Sequence, residues 1–170
     1  MRWDAHISYV VRKANSIMWT IIRLRKRGVS IEFLFQLYEL RVRSLLEFQA
    51  PSFTGALNKQ HILSIERVQK RYIKCIVGKN IFQSSSYLKV CETLGMETLE
   101  NRRTALCITF VKKSMIHQPN MFPISQHARD TRLSPHELLV IPTFKNKRYE
   151  RSARVFLPAL YNSQILNKRK

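Results

Sequence analysis

From Trp3 to Leu24 the apolar residues fall at Trp3, Ile7, Val10, Ala14, Ile17, Ile21 and Leu24, in alternating steps of four and three. That spacing draws one stripe along an α-helix of about six turns. Arg23, Arg25, Lys26 and Arg27 follow, where cations complement the C-terminal end of the helix dipole, and Gly28 is the stop. Ser30 is the N-cap of a predicted second helix running through Leu34, Leu37, Tyr38, Leu45 and Leu46, which should end before Pro51. The very short connection makes these two helices an antiparallel hairpin.

Asn58 can cap a third helix, with Ile62, Ile65, Val68 or Gln69, Tyr72 and Ile76 inward and Arg67, Lys70, Arg71 and Lys74 outward, closed by Gly78. The run Ser84-Ser85-Ser86 offers a cap for a short helix from Tyr87 to Leu94, stopped by Gly95. Thr98 caps a fifth helix reaching about His117, with Leu99, Leu106, Cys107 and Phe110 on its buried side, and Pro119 and Pro123 end it. Beyond Pro123 the periodicity fades. Ser134-Pro135-His136-Glu137 forms a capping box, but Pro142 leaves room for little more than a turn. Residues 119–148 are therefore expected to be mostly irregular. A last apolar segment, Arg151 to Asn167, contains Pro158 as a bend. The predicted fold is mainly α, a helical bundle of about five helices with an irregular, basic C-terminal segment. Residues 1–118 form the helical domain and residues 119–170 pack on it.

Charge changes the picture more than size does. The chain has 170 residues, with 30 Lys and Arg against 11 Asp and Glu, a formal net charge of +19. Residues 1–80 carry fifteen basic and five acidic groups, and residues 121–170 carry ten and three. Evenly solvated faces normally mix both signs, so an excess of this kind points to a polyanion, and a phosphate backbone is the obvious one. The two basic ends, if they met on one face, would make a groove for it.

The remaining chemistry is sparse. Cys75, Cys91 and Cys107 lie sixteen residues apart with no paired spacing, which reads as free thiols in a reducing, intracellular compartment. The five histidines form no short cluster with them, so neither a metal nor a cofactor is expected. Asp4 and Asp130 are far apart, which gives no carboxylate cluster for two-metal nucleotidyl transfer. Glutamates on arginine-crowded faces would have lowered rather than raised pKa values. Catalysis by this chain is not expected, and neither is a membrane span, since no apolar run approaches the ~18 residues required. On a helical wheel Arg103 points into the apolar side of the fifth helix while Arg102 and Lys113 flank it. Arg103 is read as an internal clamp needing a carboxylate, with Glu47 and Glu66 as candidates.

Several segments also resemble a known family. Trp3-Asp4-Ala5-His6-Ile7 and Leu46-Glu47-Phe48-Gln49-Ala50-Pro51-Ser52-Phe53 are similar to the region just after the palm of non-LTR retrotransposon reverse transcriptases, which shows Trp-x-x-His-Ile and later Leu-Glu-Tyr followed by Pro-x-Trp. Ile65-Glu66-Arg67-Val68-Gln69-Lys70-Arg71 resembles the family's Leu-Glu-x-Val-Gln-Lys-Arg helix. Tyr87, Leu94-Gly95-Met96, Thr98-Leu99 and Arg102-Arg103 look like its Tyr…Leu-Gly-Leu-x-Thr-Leu-x-x-Arg-Arg. Lys147-Arg148-Tyr149 with Ser152 resembles its Arg-Tyr-x-x-Ser. The segments run in the family's order from Trp3 to Asn167. Phe48 and Phe53 replace its Tyr and Trp, and Pro158 sits later than its Ser-x-x-Pro.

The resemblance is to the carboxy-terminal, thumb-side part of a jockey-like or CR1-like element protein. It implies that the polymerase palm with its aspartates, and the endonuclease, would lie upstream of Met1. What it leaves to this chain is an accessory role beside that palm, holding an RNA or RNA–DNA hybrid through its backbone. Lys70, Arg71 and Lys74 on the third helix, Arg102 and Lys113 on the fifth, and Lys145, Lys147, Arg148 and Arg151 near the end are the candidate phosphate contacts. A stand-alone, domesticated nucleic-acid-binding module, a remnant reading frame without selected function, and a helical adaptor for an acidic partner are the other readings.

Overall fold

The computed structural model describes residues 3–78, 86–124 and 138–167, and within them the apolar spacings become helices. In chain order these are α1 (Asp4–Lys26), α2 (Ile31–Leu37), a π-helical stretch (Tyr38–Arg43), α3 (Ser44–Glu47), α4 (Ala50–Phe53), a 3₁₀ turn (Thr54–Ala56), α5 (Lys59–Val77), α6 (Tyr87–Thr93), α7 (Leu99–His117), a second 3₁₀ turn (Pro119–Met121), α8 (Lys147–Glu150) and α9 (Ala153–Asn167). The protein is a mainly α helical bundle followed by a less regular, basic C-terminal segment. The capping box at 134–137 and the serines at 84 and 85 lie outside the described residues.

Two compact units emerge, Met1–Phe48 with Leu57–Arg102, and Gln49–Ala56 with Arg103–Lys170. The division falls inside α7 rather than at the 118/119 boundary drawn from the sequence. Its cause is local. The α4 segment follows the left-handed Gln49, at φ 55°, and packs with α9. At Gly55 an added Cβ would come within 2.6 Å of Phe156 Cγ and 3.0 Å of the Arg151 carbonyl, so that close approach requires glycine.

In the first unit α1 buries Ile7, Val10, Ala14, Met18 and Ile21. Met18 takes the central place expected of Ile17, which is only half-buried, because a step of four after Ala14 continues the buried stripe to Ile21. Ser30 caps α2, its hydroxyl accepting the Phe33 N–H at 3.4 Å. The residues buried along the second helix are Leu34, Tyr38, Val42 and Leu46, a strict period of four. An α-helix would rotate such a row about 40° per step out of the core. The π-helical stretch, with its i→i+5 bonding, absorbs that drift and keeps all four inward. The π turn has no signature in the hydrophobic pattern alone.

Asn58 caps α5 through a reciprocal box. Its side chain accepts the His61 N–H at 2.8 Å, and its own N–H reaches His61 Nδ1 at 3.4 Å. The inward residues of α5 are Ile65, Val68, Tyr72 and Ile73, with Glu66 and Gln69 also buried, while Ile62 and Ile76 are half-buried. Val90 and Cys91 of α6, Met96 and Leu99 complete this core.

The second unit packs Cys107 and Val111 of α7 with Phe122, Leu139 and Leu157, flanked by Phe110, Met115, Phe156, Leu160 and Tyr161. The extended segment at Leu139 forms an isolated antiparallel bridge with Ile124. Asn162 of α9 brackets the same peptide, accepting the Leu139 N–H at 2.9 Å and donating to its carbonyl at 2.8 Å. One side chain thus does for this segment what a neighbouring strand would otherwise do.

Candidate nucleic-acid interface

The candidate interface is built on α1 and α5, which pack side by side in the first unit. They run parallel and in register. At their starts His61 Nε2 lies 3.0 Å from Asp4 Oδ1, and about three turns further on Arg71 donates to Asn15 Oδ1 at 2.7 Å. Because His61 Nδ1 accepts the Asn58 N–H, the proton sits on Nε2 and is given to Asp4. A groove of about 630 Å³ follows the seam, with Ile7, Val11, Arg12, Asn15, Trp19 and His61 among its walls.

The inner side of α5 is tied down by a buried polar network. Gln69 accepts the Tyr38 hydroxyl at 2.8 Å and donates to the Glu97 carbonyl at 2.8 Å and to Tyr87 Oη at 3.1 Å. Tyr87 in turn donates to Glu66 Oε2 at 2.7 Å, and Glu66 Oε1 accepts the Glu100 N–H at 2.8 Å. Tyr38 stacks on Tyr72 with centroids 4.0 Å apart. Burial pushes the phenols of Tyr38 and Tyr72 far up, and Tyr87 is raised by burial together with its bond to Glu66. These groups stay neutral and serve as fixed dipoles. With its inner side locked, α5 has one rotational setting, and Arg67, Arg71 and Lys74 stand on its exposed side.

Each residue named from the sequence has a definite place. Lys70 is half-buried, its ammonium 4.5 Å from the centroid of the Tyr87 ring, so part of its charge is engaged by a π face. Arg71 and Lys74 are exposed. Arg102, which the sequence grouped with the phosphate contacts, grips Glu47 through two hydrogen bonds, Nη2 to Oε2 at 3.1 Å and Nε to Oε1. That bonding raises the Arg102 pKa and gives this residue the carboxylate named for its neighbour. Arg103 is 1% exposed, one turn before the buried Cys107, whose thiol is raised by burial and lowered in smaller part by Arg103. Glu66, the other carboxylate named for Arg103, serves Tyr87 and the Glu100 N–H. The exposed Lys113, Lys145, Lys147 and Arg151, with Arg148 on α8, all belong to the second unit. The cations therefore form two sets, one in each unit.

The sequence reading did not single out Arg12 as part of this surface. Its signal was available in the spacing, since Ser8, Arg12, Ser16 and Arg23 recur on the side of α1 opposite its apolar stripe. Among the described residues, no three His, Cys, Asp or Glu side chains gather as a metal site would require, and no helix is long and apolar enough to cross a membrane. No protein-family description matches this chain, and neither does any curated protein or solved structure.

Proposed function

We propose that the chain is a non-catalytic, nucleic-acid-binding helical fragment of a reverse-transcriptase-like protein, and that the α1/α5 face of its first unit holds the phosphate backbone of an RNA or RNA–DNA hybrid. One observation carries the backbone-binding reading. On these two parallel helices the exposed cations Arg12, Arg23, Lys26, Lys59, Arg67, Arg71 and Lys74 are set against a single exposed carboxylate, Asp4, which is taken by His61. The only other acid on either helix, Glu66, is buried in the polar network. A one-signed surface of this kind gathers counterions, and their release on binding a polyanion drives association. The origin in a retrotransposon polymerase rests on the ordered motifs from Trp3 to Asn167.

The test is anisotropy of labelled RNA, RNA–DNA hybrid and duplex DNA with the full chain, from about 50 to 300 mM salt. Binding whose log K falls steeply with log salt, and is weaker for heparin than for the hybrid, supports the reading. Equal affinity for every polyanion reduces it to bulk charge, and the absence of binding by the folded chain overturns it. A second reading, a stand-alone domesticated module, is favoured by the burial of Leu34 and Tyr38 in the first unit and of Val111 and Leu157 in the second by the chain's own residues.

A further inference from the structure

Trp19 is 63% exposed on α1, an unusual setting for the largest aromatic side chain. With Arg12 at the origin of a helical wheel, Ser8, Ser16, Trp19, Arg23 and Lys26 all lie within about 40° of it. Every one of these residues is exposed, so they form a single outward stripe. Arg12 precedes the ring by two turns, about 10 Å along the axis, and Arg23 follows by one, about 6 Å. The two serines keep the stripe low on either side of Arg12. No Asp or Glu occurs on α1 after Asp4. Trp19 also lines the groove beside α5, whose wall includes Asn15 and Ser16, and Arg71 reaches that wall through Asn15.

A flat π surface set between guanidiniums matches a ligand that alternates negative charge with flat rings. Carboxylate-rich peptides supply the charge without the rings, and a blunt duplex keeps its ring faces stacked internally. A single strand of nucleic acid supplies both, because its unpaired bases stack on exposed aromatics while its phosphates track the cations. We propose that Trp19 is a stacking platform for an unpaired base of single-stranded nucleic acid, with Arg12 and Arg23 holding the flanking phosphates. This rests on the nucleic-acid reading of the α1/α5 face and adds what that reading lacks, a preference for an unpaired segment over a closed duplex.

The experiment uses the full chain carrying Trp3→Phe, so that Trp19 is its one indole. It is titrated with an oligouridylate of about ten nucleotides, a blunt RNA duplex of the same length and polyglutamate. Trp19 emission is expected to be quenched by the oligouridylate and left unchanged by the other two. Trp19→Ala is expected to weaken oligouridylate binding about tenfold while preserving the salt slope, because no phosphate contact is lost. Trp19→Phe should retain most of the affinity. The exposed site makes these variants safe for the fold, and an unchanged circular dichroism spectrum checks that. Oligouridylate binding with unaltered Trp19 emission, or equal quenching by the duplex or polyglutamate, overturns stacking and leaves the backbone reading intact. No binding of either RNA by the folded chain overturns both.

Discussion

The two units solve the same problem of fixing helices by different means. The first places a connected polar network at its centre, with Tyr38, Glu66, Gln69 and Tyr87 each satisfied by a named partner. The second packs Cys107, Val111, Phe122, Leu139 and Leu157 as an apolar cluster, beside a largely apolar cavity of about 580 Å³ edged by Phe110, Phe122 and Leu157. Apolar packing fixes a helix through shape and volume. Hydrogen bonds add a requirement of direction. The network therefore sets the rotation of α5, and with it the side on which Arg67, Arg71 and Lys74 are exposed. The second unit carries thirteen basic against three acidic groups, yet its exposed Lys145, Lys147 and Arg151 lie on short or irregular segments.

The sharpest way to break this contrast is to remove the network's carboxylate. Glu66→Ala removes the carboxylate that accepts the part-buried Tyr87 hydroxyl and Glu100 N–H, and the loss should be about 2–3 kcal/mol, read as a lower denaturant midpoint. A cost below about 1 kcal/mol would mean that the network is ornamental. In the second unit the corresponding weak point is steric. Gly55→Ala drives a methyl into Phe156 and should cost about 1–3 kcal/mol by the same measurement.

High pH separates the units further. The buried phenols of Tyr38, Tyr72 and Tyr87 and the thiols of Cys75 and Cys91 are raised in the first unit, against the Cys107 thiol in the second. Above pH ~9–10 the unfolded chain sheds protons that the folded chain keeps, so stability is full below that range and falls as pH rises. The denaturant midpoint should decline steeply above pH ~10, with most phenolate absorbance appearing only on unfolding. A midpoint flat to pH ~11 would contradict the burial of these groups. The smallest effects come from one stacked pair. Tyr38→Phe gives up the bond to Gln69 and should cost about 1 kcal/mol. Tyr72→Phe removes a buried hydroxyl with no hydrogen-bond partner among the described residues and should be neutral or slightly stabilising.

Much of the helical order was readable because capping and stopping are local chemistry. Ser30, Asn58 and Gly28 work through atoms within a few residues, and helix boundaries follow from them. What could not be read depends on tertiary geometry. A period of four from Leu34 to Leu46 is ambiguous until the π turn shows how it stays inward. Arg102 and Arg103 are adjacent, and only the three-dimensional position of Glu47 decides which one reaches it. The wheel did turn Arg103 into the apolar side, where it lies in the buried set Arg103, Cys107, Val111 and Ser114. On the candidate interface, Arg67, Arg71 and Lys74 of α5 were legible from periodicity as outward cations, whereas Lys70 is half-buried against Tyr87. Their juxtaposition with α1 was not, because it depends on Asp4–His61 and Asn15–Arg71, contacts nearly sixty residues apart in the chain.

The central claim is that the α1/α5 face, rather than total charge, holds the backbone. The most direct test compares the salt slope of hybrid binding in two charge-matched variants, Arg67→Gln/Arg71→Gln/Lys74→Gln and Lys145→Gln/Lys147→Gln/Arg151→Gln. Each removes three cations, so a mere effect of net charge would lower both slopes alike. The account predicts that the first variant loses about 2–3 from the magnitude of the log K against log salt slope while the second changes it by less than about 1. Equal losses in the two variants, or a larger loss in the second, would contradict it.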